Sequence, residues 1–415
     1  MDKPLSGTRV LIVTPSFPIP EVGAEQSDRG NGIRQFKRLG AEVVVIAKVS
    51  SHADTGFIQK TAEELGVRVC QVPYRYSERA LTFGEKLKKT IGKFTHPLYL
   101  DGAAYEYTEP EVQRVFAREL DEFKPDVVWF EYTYLWPLYK AARTRRIPII
   151  TRSINFEPEH FLEEDGYTFI NYLKFIPKFF GEWRTVRWSD VMLSITPKEE
   201  RIYTRLGARH AFTLPLRGLP RFTMLPDPEI RDRKPLHAFF MGSTYNVAHN
   251  KAALAYILKD IAPQVERTAP GAFVFHVIGK KVPHEFEHFF NGKTIVYDGP
   301  KYNEELESFL SSMDVAVVPS LMGAGQQQKV FEPITRGFPT VTSTRPIAEY
   351  ALTAGEQYVA AWTPEEFVRG LNSLVDASKR RSLSQAARMQ TQTIFGQDVL
   401  DGIVVKAIQR ARSGL

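Results

Sequence analysis

The stretch Gly323-Ala-Gly-Gln-Gln-Gln-Lys329-Val-Phe-Glu332, running on into Pro333-Ile-Thr-Arg-Gly337-Phe-Pro339-Thr-Val341, decides how this chain is read. It follows Asp314-Val-Ala-Val-Val-Pro319, an apolar run that predicts a buried parallel strand. The order is therefore strand, Gly-rich turn, helix start, Gly-x-Pro and a second strand at Thr340-Val-Thr-Ser. Such a turn aims free backbone N–H groups and a helix dipole at one point, where an anion can sit. Lys329 adds a positive charge. Glu332, three residues on, shares its helix face and offers a carboxylate to a diol. Phosphate and diol together describe a nucleotide sugar. Pro333 costs about 3 kcal/mol past a first helical turn, so the helix either starts late, near Gln328, or kinks.

Outward from this stretch, strand and helix signals alternate. Upstream lie Ala238-Phe-Phe-Met241, a helix from Lys251 to about Ile261, Phe273–Ile278 with Gly279, Thr294–Tyr297 with Gly299, and a helix at Asn303–Ser312. Five prolines between Pro215 and Pro235 mark a hinge. Before it, Arg9–Thr14, Glu42–Ala47, Asp126–Phe130, Pro148–Arg152 and Val191–Ile195 form an earlier series. Repeated strand–helix units imply parallel sheets with helices on both faces, whose ligands bind beyond the strands' carboxyl ends. The expected organisation is an N-terminal domain over 1–215, a hinge over 216–236 and a second domain over 237–390. A last helix within 391–415 is expected to pack back on the first domain.

The composition is that of a globular protein: 415 residues, 43% hydrophobic and 25% charged. No apolar run is long enough to span a bilayer, and the N-terminus lacks a signal-peptide pattern. The lone cysteine, Cys70, excludes an internal disulfide and suits a reducing, cytoplasmic compartment. Net charge is +6, with cations interleaved among large apolar residues in Glu85–Lys93 and Tyr172–Trp188. These stretches fit either solvated helix faces with buried aromatics or contact with an anionic membrane surface. No nucleic-acid module, metal-ligand spacing, Gly-x-Ser-x-Gly elbow or dinucleotide fingerprint occurs.

At this point the chain resembles the GT-B glycosyltransferases, and among them glycosyltransferase family 4 (group 1), most strongly over residues 238–352. Phe240-Met-Gly-Ser243 with His249-Asn250, Val277-Ile-Gly279, Tyr297-Asp-Gly299 and Gly325-x-x-x-Lys329-x-x-Glu332 with Gly337-x-Pro339 carry the resemblance by their order and spacing. It implies an α/β GT-B fold, two doubly wound Rossmann-like domains facing a central cleft. It also implies transfer of a sugar, with retention, from a nucleotide-diphosphate donor to a saccharide or lipid-linked acceptor. Neither cofactor nor metal is expected. The resemblance assigns donor binding to Gly242, Ser243, Asn250, Lys251, Gly279, Gly323, Gly325, Gln326, Lys329 and Glu332. Lys329 and the helix start hold the diphosphate, and Glu332 holds the ribose hydroxyls. Many members carry an earlier glutamate where this chain has Ala324.

The N-terminal half resembles the family more distantly. Gly23, after the Pro-rich turn, and Arg152, Asn155 and His160 in Arg152-Ser-Ile-Asn-Phe-Glu-Pro-Glu-His160 are the candidate acceptor contacts. Glu131, at the end of strand Asp126–Phe130, joins Lys329 and Glu332 as a catalytic candidate. It is expected either to act as a base or acceptor contact, or to pair with an arginine from Arg143–Arg146. Ala324 and Ile154, where relatives carry a carboxylate and a histidine, keep a silent saccharide- or nucleotide-binding scaffold as an alternative. A nucleotide-sugar epimerase that hydrolyses its donor is the other.

Overall fold

The computed structural model describes residues 3–21, 23–50, 53–74, 82–95, 102–323, 325–345, 347 and 349–414. Ala324, and the side chains of Lys88, Lys89 and Lys93, lie outside the described residues. The chain divides into two compact units, one of Met1–Gly218 with Leu400–Leu415 and one of Leu219–Val399.

The N-terminal unit holds a seven-stranded sheet of β1 (Arg9–Ser16), β2 (Glu42–Val49), β3 (Arg68–Pro73), β4 (Val127–Glu131), β5 (Ile149–Arg152), β6 (Val191–Ser194) and β7 (Ala211–Thr213). Their spatial order is β3-β2-β1-β4-β5-β6-β7, with every pair parallel. Both faces are buried, which is why these strands read as continuous apolar runs rather than alternating ones. Val10 and Ile12 face one core, and Leu11 and Val13 the other. The first core is completed by Leu400, Val404, Ala407 and Ile408 from the closing helix Gln397–Arg412.

The C-terminal unit holds six parallel strands: β8 (Leu236–Thr244), β9 (Phe273–Lys280), β10 (Ile295–Gly299), β11 (Val315–Val318), β12 (Thr340–Thr342) and β13 (Val359–Ala360). Their order is β10-β9-β8-β11-β12-β13. The expectation of two doubly wound Rossmann-like sheets, the pair found in a GT-B fold, therefore holds. Short β7 and β13 are additions, too brief to leave a periodic signal. The predicted helix from Lys251 to Ile261 is instead Ala248–Tyr256, a wider π turn at Ile257–Ile261 and a further helix Ala262–Thr268. Among the described residues, no helix is long and apolar enough to cross a membrane.

Candidate functional site

In the C-terminal unit β8 lies between β9 and β11, so successive connections leave it in opposite directions. Open α/β sheets bind ligands at such a switch point, beyond the strands' carboxyl ends. Two loops leave there: one from β8 to helix Ala248–Tyr256, the other from β11 to helix Gln328–Thr335. Lys329 ties them together. Its Nζ donates to Asn250 Oδ1 at 3.2 Å and reaches the His249 carbonyl at 3.5 Å. Asn250 is buried and anchored through Nδ2 to the Thr244 carbonyl at 3.0 Å. Burial pushes the Lys329 ammonium down to about 8.

The glycine-rich turn explains its own composition. Gly323 and Gly325 have φ of 98° and 68°, a left-handed backbone that side chains disfavour. Gln327 spans the turn, its Oε1 accepting from Ser320 Oγ and its Nε2 donating to the Met322 carbonyl at 3.0 Å. Gln326 is buried. The helix begins at Gln328, the late start of the two alternatives, with Pro333 inside it.

Glu332 is 7% exposed and already engaged within the protein. Arg336 Nε donates to Oε1 at 3.0 Å, and Gln328 Nε2 donates to Oε2 at 2.9 Å. Arg336 in turn forks onto Glu307 at 2.7 and 2.8 Å. A carboxylate has about four lone-pair sites, so Glu332 retains capacity for a further donor. Gly242 and Gly279 serve a close approach of β8 to β9. A Cβ on Gly279 would lie 2.0 Å from the Gly242 carbonyl oxygen, and one on Gly242 would lie 2.7 Å from the Tyr245 ring. Ser243 beside them is exposed. Lys251 does not join Lys329; its Nζ pairs with Glu285 at 2.9 Å on a half-exposed surface.

The N-terminal unit has its own switch point, at β1 between β2 and β4. A fully buried ionic cluster occupies it. Asp28, from helix Ala24–Arg38, pairs with Arg152 at 3.0 Å and Arg217 at 2.9 Å. Arg217 also spans Glu131, at 2.9 and 3.0 Å, and Trp129 Nε1 donates to Glu131 Oε1 at 2.8 Å. The four charged side chains are at most 2% exposed. Burial alone would raise the Asp28 carboxyl, but Arg152 and Arg217 hold it below the usual range. Gly32 admits Arg217, because a Cβ there would lie 2.1 Å from Nη1.

Glu131 thus pairs with Arg217 and with none of Arg143–Arg146; Arg145 pairs with Asp121 at 2.7 Å. Arg152 is the register partner of Glu131 across β4 and β5, and it further donates to the Leu214 and Pro215 carbonyls at 3.1 and 3.2 Å. Asn155 is placed by its backbone, its carbonyl accepting from Ser153 Oγ at 2.6 Å. His160 sits one turn from Glu164, at 3.4 Å, on helix Glu157–Asp165. Gly23, with φ of 97°, precedes the first helix. Asp28, Arg217, Trp129 and Arg336 went unremarked in the sequence. One signal was present in Ser27-Asp-Arg-Gly-Asn-Gly32, a run of poor helix formers opening a helix, which implies polar partners in the fold.

Among the described residues, no group of three or more His, Cys, Asp or Glu side chains is arranged to hold a metal ion. Residues 31–216 match the family model described as "Glycosyl transferase 4-like domain", and residues 236–377 match "Glycosyl transferases group 1". No curated protein sequence matches the chain. Among solved structures, the chain is similar to HepE from Anabaena in complex with UDP and glucose, at 12% identity and a TM-score of 0.63, over 97% of this chain and 99% of that one. Sucrose-phosphate synthase from Thermosynechococcus elongatus matches at 12% identity and 0.65, over 98% and 100%. A glycosyltransferase from Rickettsia africae matches at 10% and 0.62, over 97% and 98%. With both family models and two parallel Rossmann-like sheets in one chain, the protein is a GT-B-fold glycosyltransferase related to the group 1 and family 4-like enzymes.

Proposed function

We propose that the protein transfers a sugar from a nucleotide-diphosphate sugar to a hydroxyl of a saccharide or lipid-linked acceptor, with retention and without a metal. The observation that carries this reading is Lys329, a half-buried ammonium resting on Asn250 and the His249 carbonyl where two loops meet at the sheet's switch point. In this reading the ammonium, the Gly323 and Gly325 amides and the N-terminus of helix Gln328–Thr335 stabilise the departing diphosphate. Preorganised charge of this kind is commonly the largest catalytic term. Glu332 accepts the ribose hydroxyls, already oriented by Arg336 and Gln328. Gln326, Gly242, Ser243 and Gly279 line the donor's path. Lys251, paired with Glu285, contributes long-range charge only. Glu131 acts as a positioning residue through Arg217, and Gly23, Arg152, Asn155 and His160 frame the acceptor side.

A cytoplasmic enzyme touching the inner membrane face extends this reading. Helix Phe169–Trp188 exposes Phe169, Leu173, Ile176, Phe180 and Trp183 at spacings of four and three, with Lys174 and Arg187 also exposed. An exposed amphipathic stripe of this type suits a lipid interface. Flotation with phosphatidylglycerol vesicles is expected for wild type and abolished by Ile176→Glu with Phe180→Glu.

The donor test is a thermal-shift screen across UDP-, GDP-, ADP-, CMP- and dTDP-sugars, with wild type and Glu332→Gln. UDP-sugars head the panel because the similar HepE structure holds UDP. One nucleotide sugar should stabilise wild type and stabilise the variant less. No shift from any donor refutes the reading. Binding without turnover indicates a scaffold, and release of nucleotide with free sugar indicates a hydrolysing epimerase.

A further inference from the structure

Four tyrosines stand in a row at the carboxyl end of the N-terminal sheet, and the residue roles above leave them unused. Tyr74 directly follows β3, Tyr132 and Tyr134 follow β4, and Tyr107 ends helix Gly102–Tyr107. Their rings stack in sequence. Tyr132 lies 4.8 Å from Tyr134, Tyr134 lies 5.3 Å from Tyr107, and Tyr107 lies 5.5 Å from Tyr74, with interplanar angles of 18–29°. A cation covers each end: the Arg29 guanidinium is 5.7 Å from the Tyr132 ring, and the Lys48 ammonium is 4.7 Å from the Tyr74 ring.

The row begins at the switch point. Arg29 donates to Thr14 Oγ1 of β1 at 2.9 Å while lying over Tyr132 beyond β4, so the first rung stands between the two diverging strands. From there the rungs lead toward β3, the edge strand. This is where an open α/β sheet holds its ligand. Tyr132 is buried and belongs to the core on that side of the sheet, whereas Tyr74, Tyr107 and Tyr134 are part-buried and keep some surface exposed.

The chemistry of the row selects a class of ligand. Both end cations are neutralised in place, Arg29 by Glu25 at 2.7 Å and Lys48 by Glu109 at 2.6 Å. Neither offers an uncompensated charge to an anion. The Tyr74 hydroxyl donates to Glu106 at 3.2 Å, so carboxylate acceptors stand beside the phenols. Burial pushes the Tyr74, Tyr132 and Tyr134 phenols above their ordinary range, which keeps them neutral donors. With their faces covered by one another and by the two cations, the rings present edges and phenol donors beside carboxylate acceptors, which match the hydroxyl-bearing edge of a chain of sugar rings.

We propose that Tyr132, Tyr134, Tyr107 and Tyr74 form the binding strip for an extended, uncharged saccharide, which is the acceptor. The acceptor role rests on the transfer reading above; the saccharide binding does not. The test is saturation-transfer NMR on the full chain with cellopentaose, laminaripentaose, chitopentaose and mannopentaose, and with an anionic hyaluronan hexasaccharide. At least one neutral pentasaccharide should bind wild type, with affinity reduced tenfold or more in Tyr107→Ala and about threefold in Tyr107→Phe. The thermal shift by nucleotide sugar should be the same in both variants as in wild type. If Tyr107→Ala does not fold, Tyr74→Leu at the outer rung is read in the same way. Equal binding by wild type and variants, binding of the anionic probe alone, or binding of no probe overturns the proposal. Saccharide binding that persists where no nucleotide sugar shifts the wild type would sink the transfer reading and leave the strip standing.

Discussion

Replacing Lys329 by methionine should stabilise the C-terminal unit while removing its response to nucleotide sugar. Burial lowers this ammonium from 10.5 to about 8. At about 1.4 kcal/mol per tenfold, holding it protonated near pH 7 costs roughly 3 kcal/mol. Methionine keeps the stem's packing and removes that cost. It also forfeits the hydrogen bonds to Asn250 and His249, at about 1 kcal/mol each, the second being long. The net expectation at pH 7 is a gain of about 1–2 kcal/mol, or about 3–6 °C in melting temperature for a unit of this size. The gain depends on pH with a defined sign. A lysine with a lowered folded pKa favours the folded state above its unfolded value of 10.5, and that advantage is lost as pH falls through about 8. The difference between variant and wild type should therefore shrink above pH 8 and vanish or reverse near pH 10. Scanning calorimetry from pH 6.5 to 10, with and without the stabilising donor, measures both effects, and the C-terminal transition must be followed separately because two units need not unfold together. A variant that melts below wild type by the same margin at every pH, or that keeps the full donor-induced shift, refutes the reasoning.

Arg217→Met leaves Glu131 without its cation and Asp28 with Arg152 alone, and should cost the N-terminal unit about 3–5 kcal/mol in urea unfolding; adding Glu131→Gln should recover part of the loss. Gly279→Ala forces a Cβ to 2.0 Å from the Gly242 carbonyl at φ 145° and should cost about 3 kcal/mol or prevent folding, whereas Gly271→Ala, in open space at φ 62°, should cost about 1 kcal/mol by the same assay. Burial raises the Glu199 carboxyl to about 7, against 4.5 when exposed, so its contribution is complete below pH 4.5 and is lost as pH rises toward 7. The N-terminal unit should weaken by up to about 3 kcal/mol over that interval, and Glu199→Gln should flatten the profile.

Strands with both faces covered announce themselves as unbroken apolar runs, so most of both sheets was legible, whereas β7 and β13 are too short to show a period. The Gly323–Glu332 turn was legible because left-handed glycines, a helix start and a cation occur within ten residues. What the sequence hid was pairing at a distance. Arg217 donates to Asp28 across 189 residues, and no local pattern distinguishes it from a surface arginine. Glu131 was visible as a strand-end carboxylate, but its partner was not. Lys251 and Lys329 look alike as cations near glycine loops; only the fold separates the one set on Asn250 from the one paired with Glu285. Gly242 and Gly279 illustrate the same limit, since the approach that requires them joins two strands.

The closing helix has a consequence for how the chain can be cut and rejoined. Its Leu400, Val404, Ala407 and Ile408 belong to the core of the first unit, so that unit is discontinuous and Leu219–Val399 is an insertion within it. A fragment ending at Gly218 lacks one wall of its core and should fold only when the helix is supplied as a peptide or fused behind Gly218. The same topology gives modularity. Exchanging Leu219–Val399 for the equivalent segment of a relative cuts the chain at two junctions, and carries Lys329, Asn250 and Glu332 over as a single cassette.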